Sequence, residues 1–349
     1  MRLKQKSTIL WESAVYRIAP IRGESEHARA QRERLAPFFY MKNQPENIKE
    51  TPNRDKPGNT VVSDPAIAFI GGSGLYQIDP LESPITRIIP TPFGNPSGPI
   101  VEGRLGGRRI CFMPRHGHGH RLLAHEINHC ANIWALRSLG VRWAVSITAV
   151  GSLREEFAPR HAVVPHQLVD RTGRAHEFTF FGQGIAAHIG FADPYCQPLR
   201  EILLEKSKSA CATVHDGGIY TCMNGPAFST RAEAKMHRDL GFDLIGMTNA
   251  AEARLCREAE IAMATLAFVT DYDCWNHHEA AVDVASVIEN LMANADLAKS
   301  LIPAITAAIP ATPDWPEHRA LDTAILTPRE HWPAARVADL APMLGRFAP

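Results

Sequence analysis

Residues 261–275 read IAMATLAFVTDYDCW. The run from Ile261 to Val269 is about half the 18 or more apolar residues that a membrane-spanning helix needs, so its length and composition predict a buried strand. The strand gives way to Thr270 and then to two carboxylates, Asp271 and Asp273. Side chains at i and i+2 of an extended segment point to the same side, so both carboxylates can face one pocket. Their mutual repulsion raises one pKa, which lets one carboxyl hold a proton near neutrality and donate it. Helix capping and a salt bridge are the plainer readings of the same pair.

Outward from this stretch the chain alternates. Short β-branched runs at Ala66–Ile70, Arg109–Met113, Trp143–Val150 and Phe242–Ile245 are interleaved with helix-like segments at Glu126–Leu139, Gln197–Ala210, Arg231–Leu240 and Val284–Ile305. That alternation predicts an α/β fold around a largely parallel or mixed sheet. Gly140 reads as a helix stop, and Thr230 with Glu233 as a capping box. In the last helix Val284, Val287, Ile288, Leu291 and Met292 recur at spacings of three and four and predict a core-facing stripe.

Four further segments at strand ends carry candidate chemistry. Gly71-Gly72-Ser73-Gly74 is a turn whose amides and Ser73 hydroxyl suit an anion, though it is neither GxGxxG nor a Walker loop, and a simple tight turn explains it as well. Arg115 and His116 in PRHGHGH suit a phosphate or carboxylate. His118 and His120 there raise a metal reading, but the loop supplies no other ligands, so anion binding is the better account. Thr148-Ala149-Val150-Gly151-Ser152 places hydroxyls where open α/β sheets hold ligands. Gly246-Met247-Thr248-Asn249 leads into a helix, where an anion site and ordinary N-capping are both open.

Of the 349 residues, Lys and Arg number 37 and so do Asp and Glu, and 45% are hydrophobic against 21% charged. A neutral chain offers no global field to nucleic acid or to a membrane surface, and neither is expected as a partner. Seven cysteines, none closer than eleven residues to the next, indicate reduced thiols rather than a disulfide framework or a CxxC zinc site. With no secretory h-region at the start, a cytoplasmic protein is expected. Residues 1–63 have linker-like composition and read as a partly disordered extension, with Met41 as a candidate alternative start. Residues 309–349 are Pro-rich and are expected to lie on the surface or stay loose.

The strings GGSGLY, RHGHGH, TAVGSLREE, NGPAFSTRAEA, GMTNAAEARLCREAEI and TDYDCW, in this order, resemble the trimeric purine nucleoside phosphorylase family, and in detail its methylthioadenosine branch. The resemblance implies a single α/β domain over 64–308 with a central mixed, partly barrel-like β-sheet flanked by helices. It implies phosphate-dependent cleavage of methylthioadenosine to adenine and 5-methylthioribose 1-phosphate, with phosphate as co-substrate and no cofactor or metal. A homotrimer or hexamer is implied too.

Carried over residue by residue, the resemblance places Ser73, Arg115, His116, Thr148, Ala149 and Thr248 around phosphate. Met247 would lie under the ribose and Phe228 against the base. Asp271 would donate to purine N7 and Asp273 accept from the 6-amino group. Val284 and Ile288, with His188 of a neighbouring subunit, would wall the methylthio group. Asp271 and Ser229 stand where the 6-oxopurine branch has Asn and Glu, which favours an amino purine. Departures from the family are Asn224 where a Glu precedes Gly-Pro, Ala227 in place of a larger polar residue, the lack of a Pro after Thr248, and His118 at a variable place. Competing readings are a phosphorylase of methylthioinosine or other 6-oxopurine nucleosides and a non-catalytic nucleoside binder.

Overall fold

The computed structural model describes residues 64–72, 81–210, 213–276 and 284–347, with backbone alone for 284–288. Its strands, in chain order, are β1 (Ala66–Gly71), β2 (Glu82–Arg87), β3 (Ile100–Leu105), β4 (Arg108–Pro114), β5 (Val141–Ser152), β6 (Ala162–Val164), β7 (Gln167–Asp170), β8 (Val214–Asp216), β9 (Ile219–Cys222), β10 (Leu244–Gly246) and β11 (Ala262–Asp271). The helices are α1 (His129–Ser138), α2 (Gln197–Ser209), α3 (Arg231–Asp239), α4 (Asn249–Glu258), α5 (Val284–Ala308), α6 (Ala334–Asp339) and α7 (Ala341–Leu344). The strands form one mixed sheet in the order β2-β3-β4-β1-β5-β10-β9-β7, with β11 joining β5 to β6 and β6 joining β8. The expected mixed α/β sheet flanked by helices is therefore present.

Burial follows the two-residue period of a strand covered on both faces. Ala66, Ala68 and Ile70 of β1 point into one layer with Ile133 and Leu136 of α1 and Leu255 of α4. Ile67 and Phe69 point into the other, with Trp143 and Val145 of β5 and Leu301, Ile302 and Ile305 of α5. Helix ends obey the sequence signals. Gly140 takes φ +80° just past α1, and the Thr230 hydroxyl accepts from the Glu233 amide at 3.2 Å while the Glu233 carboxylate accepts from the Thr230 amide at 2.7 Å.

The twelve-residue strand β5 organises the site. Along its body it runs parallel to β11, from Trp143 opposite Ala262 to Val150 opposite Val269. On its other edge β1 pairs as far as Ser146, and β10 joins antiparallel only at Gly151 and Ser152. Between Ser146 and Gly151 that edge pairs with no strand among the described residues. The sheet splits there, at the carboxyl ends of its parallel strands, which is where open α/β sheets leave a ligand crevice.

The segment after 308 departs from expectation. Leu321, Ala324, Leu340, Met343 and Leu344 are at most 2% exposed and belong to the core layer of α1 and α4. The Trp134 indole donates to the Asp339 carbonyl at 2.7 Å, and Arg336 donates to the Phe180 carbonyl. Proline limits helix length here, as read, but it does not prevent each short helix from burying its apolar residues. The six described cysteines are all free thiols. No described helix is long and apolar enough to cross a membrane.

Candidate active site

A cavity of about 380 Å³ opens at the split in the sheet. Arg115, His116, Thr148, Ala149, Met247, Thr248, Phe228, Asp271 and Asp273 all line it. His188 does not line the cavity of its own chain and is exposed on a loop whose backbone pairs with Ala324. Ser73 lies outside the described residues, as do the side chains of Val284 and Ile288.

One end of the cavity is built of donors from separate strand ends. Arg115, one residue past β4, is 2% exposed; its Nη1 donates to the Ile147 carbonyl at 3.0 Å and its Nε and Nη2 face the Glu252 carboxylate. His116 donates through Nδ1 to the Leu122 carbonyl at 2.9 Å, which leaves Nε2 as an acceptor on the neutral ring. Burial first, then the Arg115 charge, brings its pKa down to about 4, so the ring is neutral near pH 7. The His120 ring stacks on it at 4.3 Å. Thr248 is the N-cap of α4 but its side chain makes no capping bond; it is 5% exposed and turned to the cavity. Ordinary N-capping by the Thr248 side chain, one of the two sequence readings, is therefore not what this residue does. At Gly246 a Cβ would stand 1.8 Å from the Tyr220 hydroxyl, so any side chain there has to displace that buried ring.

At the other end stand the two carboxylates. They face the cavity for a different reason from the extended alternation expected: β11 ends at Asp271, and Asp273 sits in a turn with φ +52°. Asp271 Oδ1 accepts from the Asp273 amide at 2.8 Å, an Asx-type turn, and its Oδ2 accepts from the Thr270 hydroxyl at 2.7 Å. Asp273 is 9% exposed, and its Oδ2 has no hydrogen-bond partner among the described residues. Burial, opposed by the Ser229 hydroxyl and reinforced by the Asp271 charge, raises the Asp273 pKa to about 6. Burial raises Asp271 as well, while the Thr270 hydroxyl and Asp273 amide work against it.

Sequence reading missed Asn290 and Asn294, one turn apart on α5. Their amides donate to the carbonyls of Thr270 at 2.7 Å and Val269 at 3.0 Å, pinning the end of β11, and Asn294 also lines the cavity. Two asparagines at i, i+4 on one face of the helix were the available signal. Among the described residues no group of three or more His, Cys, Asp or Glu could hold a metal ion. A second depression over α3 is lined by Arg231, Lys235, Arg238 and Trp275. Two of its three cations are engaged, Lys235 with Asp239 at 2.6 Å and Arg238 over the Trp275 ring at 3.4 Å.

A mixed sheet split beside its central strand, with anion donors at one end of the crevice and paired carboxylates at the other, defines a class. The phosphorylase superfamily model matches residues 66–308, and the chain belongs to that superfamily. Within it, the chain is 48% identical over 281 residues to the S-methyl-5′-thioadenosine phosphorylase of Chloroflexus aurantiacus, covering 80% of this chain and 98% of that one. It is 46% identical to the enzyme of that name from Geobacter sulfurreducens, with the same coverage. Among solved structures it is similar to a methylthioadenosine phosphorylase from an Antarctic soil metagenomic library, with a TM-score of 0.76, 45% identity and coverage of 80% and 99%. It is also similar to the Schistosoma mansoni methylthioadenosine phosphorylase in complex with adenine, with a TM-score of 0.70, 32% identity and coverage of 76% and 100%.

Proposed function

We propose that this chain catalyses the phosphate-dependent cleavage of the N-glycosidic bond of S-methyl-5′-thioadenosine, giving adenine and 5-methylthioribose 1-phosphate, with phosphate as co-substrate and no organic cofactor or metal. The observation that carries this reading is the two-ended cavity, in a chain 48% identical to an enzyme named for that substrate. Cleaving the bond separates an oxocarbenium-like ribosyl from a purine anion, so a fixed nucleophile is needed at one end and a proton at the other. Arg115, Thr148, the Ala149 amide, Thr248 and, beyond the described residues, Ser73 hold the phosphate. Neutral His116 accepts the P–OH proton of hydrogen phosphate through Nε2, which turns the charged oxygens toward the sugar.

Met247 supports the ribose and Phe228 packs on the base. A 6-amino group donating to Asp273 favours its ionised form. The charge on Asp273 then raises Asp271, which carries the proton to N7 as the leaving purine gathers charge. A 6-oxopurine presents an acceptor there and needs Asp273 protonated, so the proton balance of the pair selects the amino purine near neutrality.

His188, turned away from its own cavity, fits the reading in which a neighbouring subunit of a homotrimer supplies it, beside Val284 and Ile288, to the methylthio pocket. A cytoplasmic location fits a salvage enzyme with free thiols. Release of adenine from methylthioadenosine with and without phosphate tests the proposal: release that depends on phosphate supports it, and binding without turnover contradicts it.

A further inference from the structure

Arg115 reaches the cavity almost wholly buried, and its orientation is set from behind. The Glu252 carboxylate, 2% exposed and outside the cavity lining, receives the guanidinium Nε on Oε1 and Nη2 on Oε2 at 3.0 Å. Ser146 of β5 closes a triangle, accepting from Arg115 Nη2 at 2.8 Å and donating to Glu252 Oε2 at 2.7 Å. Behind it, Asn249 donates to the Thr265 hydroxyl at 2.9 Å and accepts from the Tyr195 hydroxyl at 2.6 Å. Glu252 stands four residues after Thr248, so one face of α4 carries both a cavity hydroxyl and the partner of the cavity arginine.

A two-point carboxylate contact fixes the plane of a guanidinium as well as its position. The Nε and Nη2 edge lies on Glu252, and Nη1, which also donates to the Ile147 carbonyl, is the nitrogen turned toward Gly72 in the cavity wall. A Cβ built on Gly72 would stand 3.9 Å from that nitrogen. Burial works to raise the Glu252 pKa, but the Arg115 charge and hydrogen bonds outweigh it, so the carboxylate stays ionised.

The geometry points to Glu252 as a positioning residue for phosphate: it holds one edge of Arg115 so that the other faces the anion, and it never meets the ligand itself. This rests on the phosphate reading of that end of the cavity. It predicts that Glu252→Gln, similar in shape but without the charge, loses orientation at the phosphate and leaves the nucleoside end intact.

The test titrates inorganic phosphate calorimetrically into the wild type, Glu252→Gln and Ser146→Ala, and measures initial rates with each substrate varied. Phosphate affinity should weaken by about tenfold or more in Glu252→Gln, while the nucleoside KM stays within about twofold. Ser146→Ala, which keeps both charges, should show the same selective loss at about threefold, and it decides the matter if Glu252→Gln does not fold. Unchanged or tighter phosphate binding, or a nucleoside KM that rises in step with that of phosphate, would overturn the assignment. A wild type that binds phosphate yet releases no adenine would contradict the phosphorolysis reading alone, and the titration would still judge Glu252.

Discussion

In the proposed reaction, substrate choice turns on Asp273. Its carboxyl is raised from 3.8 to about 6 by burial and by the neighbouring Asp271 charge. The folded protein thus binds this proton more tightly than the unfolded chain does. The group favours the fold below about pH 4 and that advantage is lost as pH rises through about 6. Catalysis on an amino purine has the opposite dependence, because Asp273 must be ionised to accept from the 6-amino group. We expect kcat/KM for methylthioadenosine to fall as pH drops through about 6, and the rate on methylthioinosine relative to methylthioadenosine to rise over the same interval. A ratio that stays flat between pH 5 and 8 would remove Asp273 from the selection of the base.

At the scale of elements, the site depends on how closely β9 and β10 approach. Gly246 lies over the Tyr220 ring, and an added methyl group would collide with the hydroxyl. Gly246→Ala should cost about 1–3 kcal/mol in stability, measured by denaturant unfolding, and reduce activity. Tyr220→Phe in the same chain removes the oxygen but leaves the ring carbon that carried it 2.6 Å from the added Cβ, so stability and activity should stay low; full restoration would show that the ring is no obstacle.

The central strands were legible because β1, β5 and β11 are buried on both faces and read as mainly apolar runs broken only by a few polar residues, most of them Ser or Thr. Strand β2 was not, since five of its six residues are exposed and it contains Pro84, as an edge strand can. Strands β6 and β8 have three residues each, too few to show a period. The site was legible where chemistry sits at a strand end, as in Arg115, Thr148 and Asp271. Glu252 and Asn294 were hidden because a polar residue on a helix reads as solvated until packing shows what it faces.

At the scale of the whole molecule, the chain beyond the family match at 308 contributes Leu321, Ala324, Leu340, Met343 and Leu344 to the core. We propose that the folding unit runs to the last described residues rather than ending near 308. Each of Leu321, Leu340, Met343 and Leu344 contributes about 1.5–3 kcal/mol by burial, against a net stability of roughly 5–15 kcal/mol for a typical domain. A chain ended at residue 309 should therefore be insoluble or melt at a much lower temperature than the full chain. A truncated protein with an unshifted melting curve would show that this segment is dispensable. The balanced charge of the molecule fits small ligands held by local donors, with no long-range field needed.

The account as a whole is tested most directly by initial rates of base release from methylthioadenosine, methylthioinosine and inosine, each with and without phosphate. It predicts adenine release that requires phosphate and is fastest from methylthioadenosine at pH 7. Release that ignores phosphate, or a preference for either 6-oxopurine nucleoside, would contradict it.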